Sequence, residues 1–109
     1  MTTRAIEQTQ HCNTMADVRR AIDALDDILV PLLVTRGGYM TQAARIKQRD
    51  SQVRDEERIE AIVARVRERA LQEGGEPDVI EAIYRSMMEA YIAYEHREFA
   101  RQHAPGEGT

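Results

Sequence analysis

The apolar residues Val18, Leu25, Leu32, Tyr39 and Ile46 recur every seven positions, as do Ile22, Leu29, Arg36 and Ala43. Both series run without a slip through Pro31 and through the pair Gly37-Gly38. A period sustained over that distance marks one helical stripe, and nothing else in the chain restricts the fold as strongly. Thr14 offers an N-cap, with Asp17 three residues on as an imperfect capping box. Pro31 removes an internal hydrogen bond, and the two glycines weaken the helix by up to about 2 kcal/mol relative to alanines. Because the register survives them, the spacing predicts one long, bent helix from Thr14 through Lys47. At 1.5 Å per residue it runs for roughly 48 Å.

That length sets a geometric problem. A compact monomer of 109 residues has a radius of gyration near ~13 Å and a diameter of roughly 34 Å, less than the helix itself. The rest of the chain supplies two shorter helices. One spans about Arg54 to Leu71, with Ile59, Ile62, Val63, Val66 and Ala70 on one face, and stops at Gly74-Gly75. The other starts at Pro77, a favoured first helical position, and runs to about Gln102. Neither covers the whole stripe of the first, so a second copy is expected to do so. The expected fold is all-α, three helices per chain in an intertwined homodimer. A flexible N-terminal arm (1–13) precedes the helical domain (14–103), and a flexible Gly- and Pro-containing tail (104–109) follows it.

Composition removes several function classes. Fifteen Lys and Arg against nineteen Asp and Glu leave a formal charge of -4, which favours neither nucleic acid nor an anionic membrane. Where basic residues cluster, acidic ones interrupt them, as in "RDEERIE", the pattern of a solvated helix face. The first fifteen residues are polar, and the longest apolar run, "ILVPLLV", is far short of a membrane span. A cytoplasmic, unanchored protein is expected. Cys12 cannot form an internal disulfide, and "QHCNT" lacks the paired ligand spacing of a zinc site. Neither metal nor cofactor is expected.

Charged residues on apolar faces are the candidates for function. In the third helix Ile80, Ile83, Tyr84, Met87, Met88, Tyr91, Ile92 and Phe99 share a stripe, and Glu95 falls on it between Ile92 and Phe99. Arg36 interrupts the stripe of the first helix, and Lys47, eleven residues on, faces almost the same way. Arg19 is close to Lys47 in angle but too far along the axis to reach the same small ligand. Antiparallel packing of two long helices removes that limit, since it brings the Arg19 end of one chain to the Arg36–Lys47 region of the other. The pocket so formed is cationic, partly apolar and suited to a small dianion. Taken singly, each charge has a structural reading as well: snorkelling for Arg36, the helix dipole for Lys47, and an ion pair for Glu95.

Over about Asp17 to Gln102 the chain resembles the all-α chorismate mutase family, including the related isochorismate-pyruvate lyases. The resemblance is carried by "ADVRRAIDALDDILVPLLVTR", "ARIK", "VRDEER" and "YIAYE". It implies that Arg19 reaches into the partner's active site and that Arg36 binds a substrate carboxylate in its own chain. It implies that Lys47 contacts the ether oxygen and a carboxylate, that Asp55 and Arg58 lie near the ring hydroxyl, and that Glu95 hydrogen-bonds the ether oxygen. Ile59 and Tyr91 are counted with the substrate-binding positions. Two departures stand out. Ile59 replaces the Glu that many mutases have after the Arg of the second helix, and Gly37-Gly38 replaces better helix formers.

The resemblance implies a pericyclic rearrangement of chorismate to prephenate, without nucleophile, metal or redox cofactor. Catalysis then consists of holding the dianion in its reactive conformer and stabilising charge on the breaking ether bond. Glu95 helps only when protonated, because a carboxylate has no proton to donate. The alternative reaction is the isochorismate-pyruvate lyase one, giving salicylate and pyruvate. Ile59 and "YIA" point to the lyase, Asp55 and Glu95 to the mutase, which is the favoured reading. A non-catalytic helical dimer that binds a metabolite or a protein is the alternative from another class.

Overall fold

The computed structural model describes residues 7–105. Of the expected arm and tail, residues 1–6 and 106–109 lie outside the described residues. Helix α1 spans Met15–Ile46 and is continuous through Pro31 and Gly37-Gly38. A 3-10 turn, Asp50–Gln52, follows, then α2 (Glu56–Gln72) and α3 (Pro77–Gln102). No strand occurs among the described residues. The long first helix agrees with the periodicity, and the third starts at Pro77 as expected.

The ends of the helices follow from local chemistry. Thr14 Oγ1 accepts from the Asp17 backbone N–H at 3.1 Å, while the Asp17 carboxylate reaches the N–H of Asn13 at 3.2 Å. The capping box is thus half formed and displaced by one residue. Asp55 caps α2 by accepting from the Arg58 N–H at 3.0 Å. At the other end of α2, Gly74 takes φ +80°, the one positive φ among the described residues. Gly75 N–H then returns to Ala70 O and Gly74 N–H to Leu71 O, the paired bonds of a Schellman turn. The turn reverses the chain, and Pro77 starts α3.

The chain divides into two compact units within α1, after Val34. In the first, residues 7–10, Cys12 and the α1 residues Val18, Ala21, Ile22, Leu25 and Ile28 line a shared groove. Ile22, Leu25, Leu29 and Leu32 of the predicted stripe are each about half exposed or more in the single chain.

In the second unit, α2 and α3 pack through Ile59, Ile62, Val63, Val66 and Met88, with Ile80, Tyr84 and Ile92 at the margin of this core. Ile83, expected on the same α3 face, is exposed at its edge. Bidentate ion pairs set the register of α2 and its entry segment against α3. Arg54 grips Glu89 at 3.0 and 2.7 Å, and Arg85 grips Glu60 at 3.0 and 2.9 Å while its Nε donates to Glu81 at 2.6 Å. These guanidinium contacts hold Glu60, Glu81 and Glu89 below the usual carboxylate range. No helix of the described residues is long and apolar enough to cross a membrane.

Candidate active site

Four residues of α1 and its C-terminal edge, Arg36, Met40, Ala43 and Lys47, succeed one another at helical spacing and so face one way. Lys47 keeps that direction although it stands just past the helix, because its N–H still bonds Ala43 O at 2.9 Å. On α3 the spacing of Met88, Tyr91, Ile92 and Glu95 does the same. These two rows, with Arg58, Ile59 and Ile62 of α2 and Val53 and Asp55 of the connecting segment, line a cavity of about 310 Å³.

Glu95 is 3% exposed, the one buried charged side chain among the described residues. Its Oε2 accepts from Lys47 Nζ at 2.8 Å. The same ammonium donates to the Val53 carbonyl at 3.4 Å, which ties the connecting segment to the cavity. A buried carboxylate is costly unless paired, and here the cation comes from a side chain that also borders open space. Nearer the start of the α1 row, the Arg36 guanidinium carbon lies 5.9 Å from the centroid of the Tyr91 ring, within cation-π range. Three cations, Arg36, Lys47 and Arg58, thus share the lining with two carboxylates, Asp55 and Glu95.

Seven of the eight site positions named from the sequence, Arg36, Lys47, Asp55, Arg58, Ile59, Tyr91 and Glu95, line this one cavity. The eighth, Arg19, is exposed on α1 in the first unit and is not among the lining residues. Asp55 has a second role, as the cap of α2, which commits one of its oxygens. Ile59 is both cavity wall and core. Sequence reading missed Val53, which is 4% exposed and supplies the carbonyl that receives Lys47. It belongs to a segment without period, so no pattern marked it. Met40 was missed as well, while Ala43, Ile62, Met88 and Ile92 were legible as apolar helix faces but not as cavity walls.

Residues 18–96 match the family described as chorismate mutase type II. A curated relative, the isochorismate pyruvate lyase of Pseudomonas aeruginosa, is 29% identical over 84 residues, which cover 77% of this chain and 83% of the relative. The matched segment contains every residue lining the cavity. By that match the chain belongs to the chorismate mutase type II family.

Proposed function

We propose that this protein is a chorismate mutase that converts chorismate to prephenate as a cytoplasmic homodimer. The observation that carries the reading is the contact of Lys47 with the buried Glu95 at 2.8 Å in a cavity that Arg36 and Arg58 also line. An ether oxygen seated against both groups meets the Lys47 ammonium and, once Glu95 holds a proton, a second donor. Donors already in place where negative charge develops lower the barrier without reorganisation. A pericyclic shift asks for little else beyond holding the reactive conformer.

Arg36 grips one carboxylate through parallel N–H donors, and the partner subunit's Arg19 grips the other. Charge counting supports both assignments. The lining alone carries three positive and two negative side chains, so a bound dianion leaves it one negative charge in excess. An incoming Arg19 cancels that excess. The half-exposed row Ile22, Leu25, Leu29 and Leu32 supports the second copy, since covering such side chains gains on the order of 1 kcal/mol each. Asp55 and Arg58 stand at the ring hydroxyl.

Two observations favour a second reading, cleavage of isochorismate to salicylate and pyruvate. Ile59 gives the cavity an apolar wall at the position where many mutases have Glu, and the relative from Pseudomonas aeruginosa is named for the lyase reaction.

The mutase reading is tested by following loss of chorismate with the wild type, Arg36→Ala and Lys47→Ala. Lys47→Ala is expected to lower kcat by about 10²–10³-fold, the usual loss for one donor at a developing charge. Equal rates would contradict the assignment. Sharing of sites is tested by mixing Arg19→Ala with Lys47→Ala protein. Random exchange restores about a quarter of wild-type activity if each site takes Arg19 from its partner, and restores none if it does not.

A further inference from the structure

Gly37 is buried on α1 immediately after Arg36, and an aromatic ring occupies the place of its side chain. A Cβ there would stand 2.9 Å from Tyr91 Cε1, 3.3 Å from Tyr91 Oη and 3.4 Å from Cζ. At the neighbouring Gly38 a Cβ would meet nothing within 4 Å. Both glycines sit inside the helix, where alanine is the better helix former. Only at Gly37 is there a packing reason for its absence.

The ring is held from other sides too. Tyr94 meets it edge to face, with centroids 6.2 Å apart and planes at 79°. The Tyr94 hydroxyl pairs with Thr41 Oγ1 at 2.9 Å, and Thr41 Oγ1 donates back to the Gly37 carbonyl at 3.5 Å. The circuit closes on α1 itself. Arg36 then stands over the Tyr91 ring at 5.9 Å, at the end of the cavity away from Lys47.

We infer that Gly37 is a positioning residue: its bare backbone seats the Tyr91 ring against α1, and the seated ring fixes where the Arg36 guanidinium meets a substrate carboxylate. The inference rests on the reading of this cavity as a dianion site. A methyl at position 37 moves the ring by at least about half an ångström to regain ordinary contact. That displacement goes into the cavity or against Arg36. Misplacing a carboxylate clamp by a fraction of an ångström lowers kcat/KM about tenfold, since losses near a hundredfold accompany shifts of ~1 Å. A weakened carboxylate grip raises KM more than it lowers kcat.

The test compares Gly37→Ala, Gly38→Ala, Tyr91→Leu and Gly37→Ala/Tyr91→Leu, with kcat and KM measured on whichever of chorismate and isochorismate the wild type turns over. Gly37→Ala is expected to raise KM about tenfold, while Gly38→Ala, with the same gain in helix propensity, keeps the wild-type KM. In the Tyr91→Leu background, adding Gly37→Ala is expected to leave KM unchanged, because the colliding ring is gone. A wild-type KM in Gly37→Ala, or the same increase in both backgrounds, overturns the inference. If Gly37→Ala does not fold, a folded double variant with the KM of Tyr91→Leu upholds it, and an unfolded double variant overturns it.

A second readout stands apart from turnover. The Gly37 Hα resonances of the wild type are expected to be displaced by the Tyr91 ring current and to move back in Tyr91→Leu. Unmoved resonances refute the seating whatever the substrate is. A displaced resonance with no turnover of either substrate refutes the proposed function and leaves the seating intact.

Discussion

Lys47→Met keeps most of the length of the side chain at position 47 and removes its charge, leaving the Glu95 carboxylate without the ammonium 2.8 Å away. Glu95 is 3% exposed, and leaving a buried charge without its partner costs about 3–5 kcal/mol when water is fully excluded. Here that figure is an upper bound. The Lys47 side chain is 28% exposed, so water enters where the ammonium was, and the carboxylate can also take up a proton. The expected loss is therefore about 1–3 kcal/mol, the usual penalty for one buried polar group left unsatisfied. Glu95→Gln leaves an amide oxygen that still accepts from Lys47, and its expected loss is under about 1 kcal/mol. In Lys47→Met/Glu95→Gln the stranded charge is gone, so the double variant recovers at least about 1 kcal/mol relative to Lys47→Met. The assay is urea unfolding at pH 7 followed by helical circular dichroism, with all variants at one fixed protein concentration because an oligomer's stability depends on it. A Lys47→Met midpoint equal to that of the wild type, or a double variant no more stable than Lys47→Met, refutes the assignment of Glu95 as a buried charge that depends on Lys47.

Three further outcomes follow from particular contacts. Glu95→Gln, which keeps a contact to Lys47 and presents an amide donor, is expected to retain mutase activity, whereas Glu95→Ala is expected to lower kcat by about 10²-fold; an unchanged kcat in Glu95→Ala removes the role of Glu95 as a donor. Glu60, Glu81 and Glu89 are held below their ordinary value of 4.5 by hydrogen bonds from Arg85 and Arg54. A depressed folded-state value means that their contribution is present above 4.5 and is lost as pH falls through the lower folded value. Urea midpoints measured downward from about pH 6 should therefore fall at the acid end, and less steeply in Arg85→Met; identical acid limbs would contradict this. Asp55→Ala is expected to cost about 1 kcal/mol of stability through the lost cap, whereas Asp55→Asn keeps the cap and loses only the charge. If Asp55→Asn is as active as the wild type, the carboxylate serves α2 rather than a ring hydroxyl.

The helices were legible because each rests on local rules. The unbroken heptad through Pro31 and Gly37-Gly38 predicted α1, the Gly74-Gly75 stop became a Schellman turn, and Pro77 opens α3. The cavity lining was legible where charge interrupted an apolar stripe, as with Arg36 and Glu95, and Lys47 was singled out by its angle to Arg36. Periodicity is silent in the segment between α1 and α2, so the Val53 carbonyl that receives Lys47 left no mark in the sequence. It is also silent about which polar atoms a side chain already satisfies. Asp55 shows this: its place near a ring hydroxyl came from family resemblance, and its bond to the Arg58 N–H appeared only with the coordinates. Gly37 read as a weak point of the helix because propensity counts the glycine and not the Tyr91 ring packed on it from 54 positions away.

The most direct test incubates the purified wild type with chorismate and, separately, with isochorismate, and identifies the products by chromatography. Prephenate from chorismate, formed faster than salicylate from isochorismate and much reduced in Lys47→Ala, is the result expected if Lys47 and Glu95 act on the ether oxygen of a mutase substrate. Salicylate and pyruvate from isochorismate with little prephenate would contradict the mutase assignment and make the apolar wall at Ile59 the better guide to the reaction.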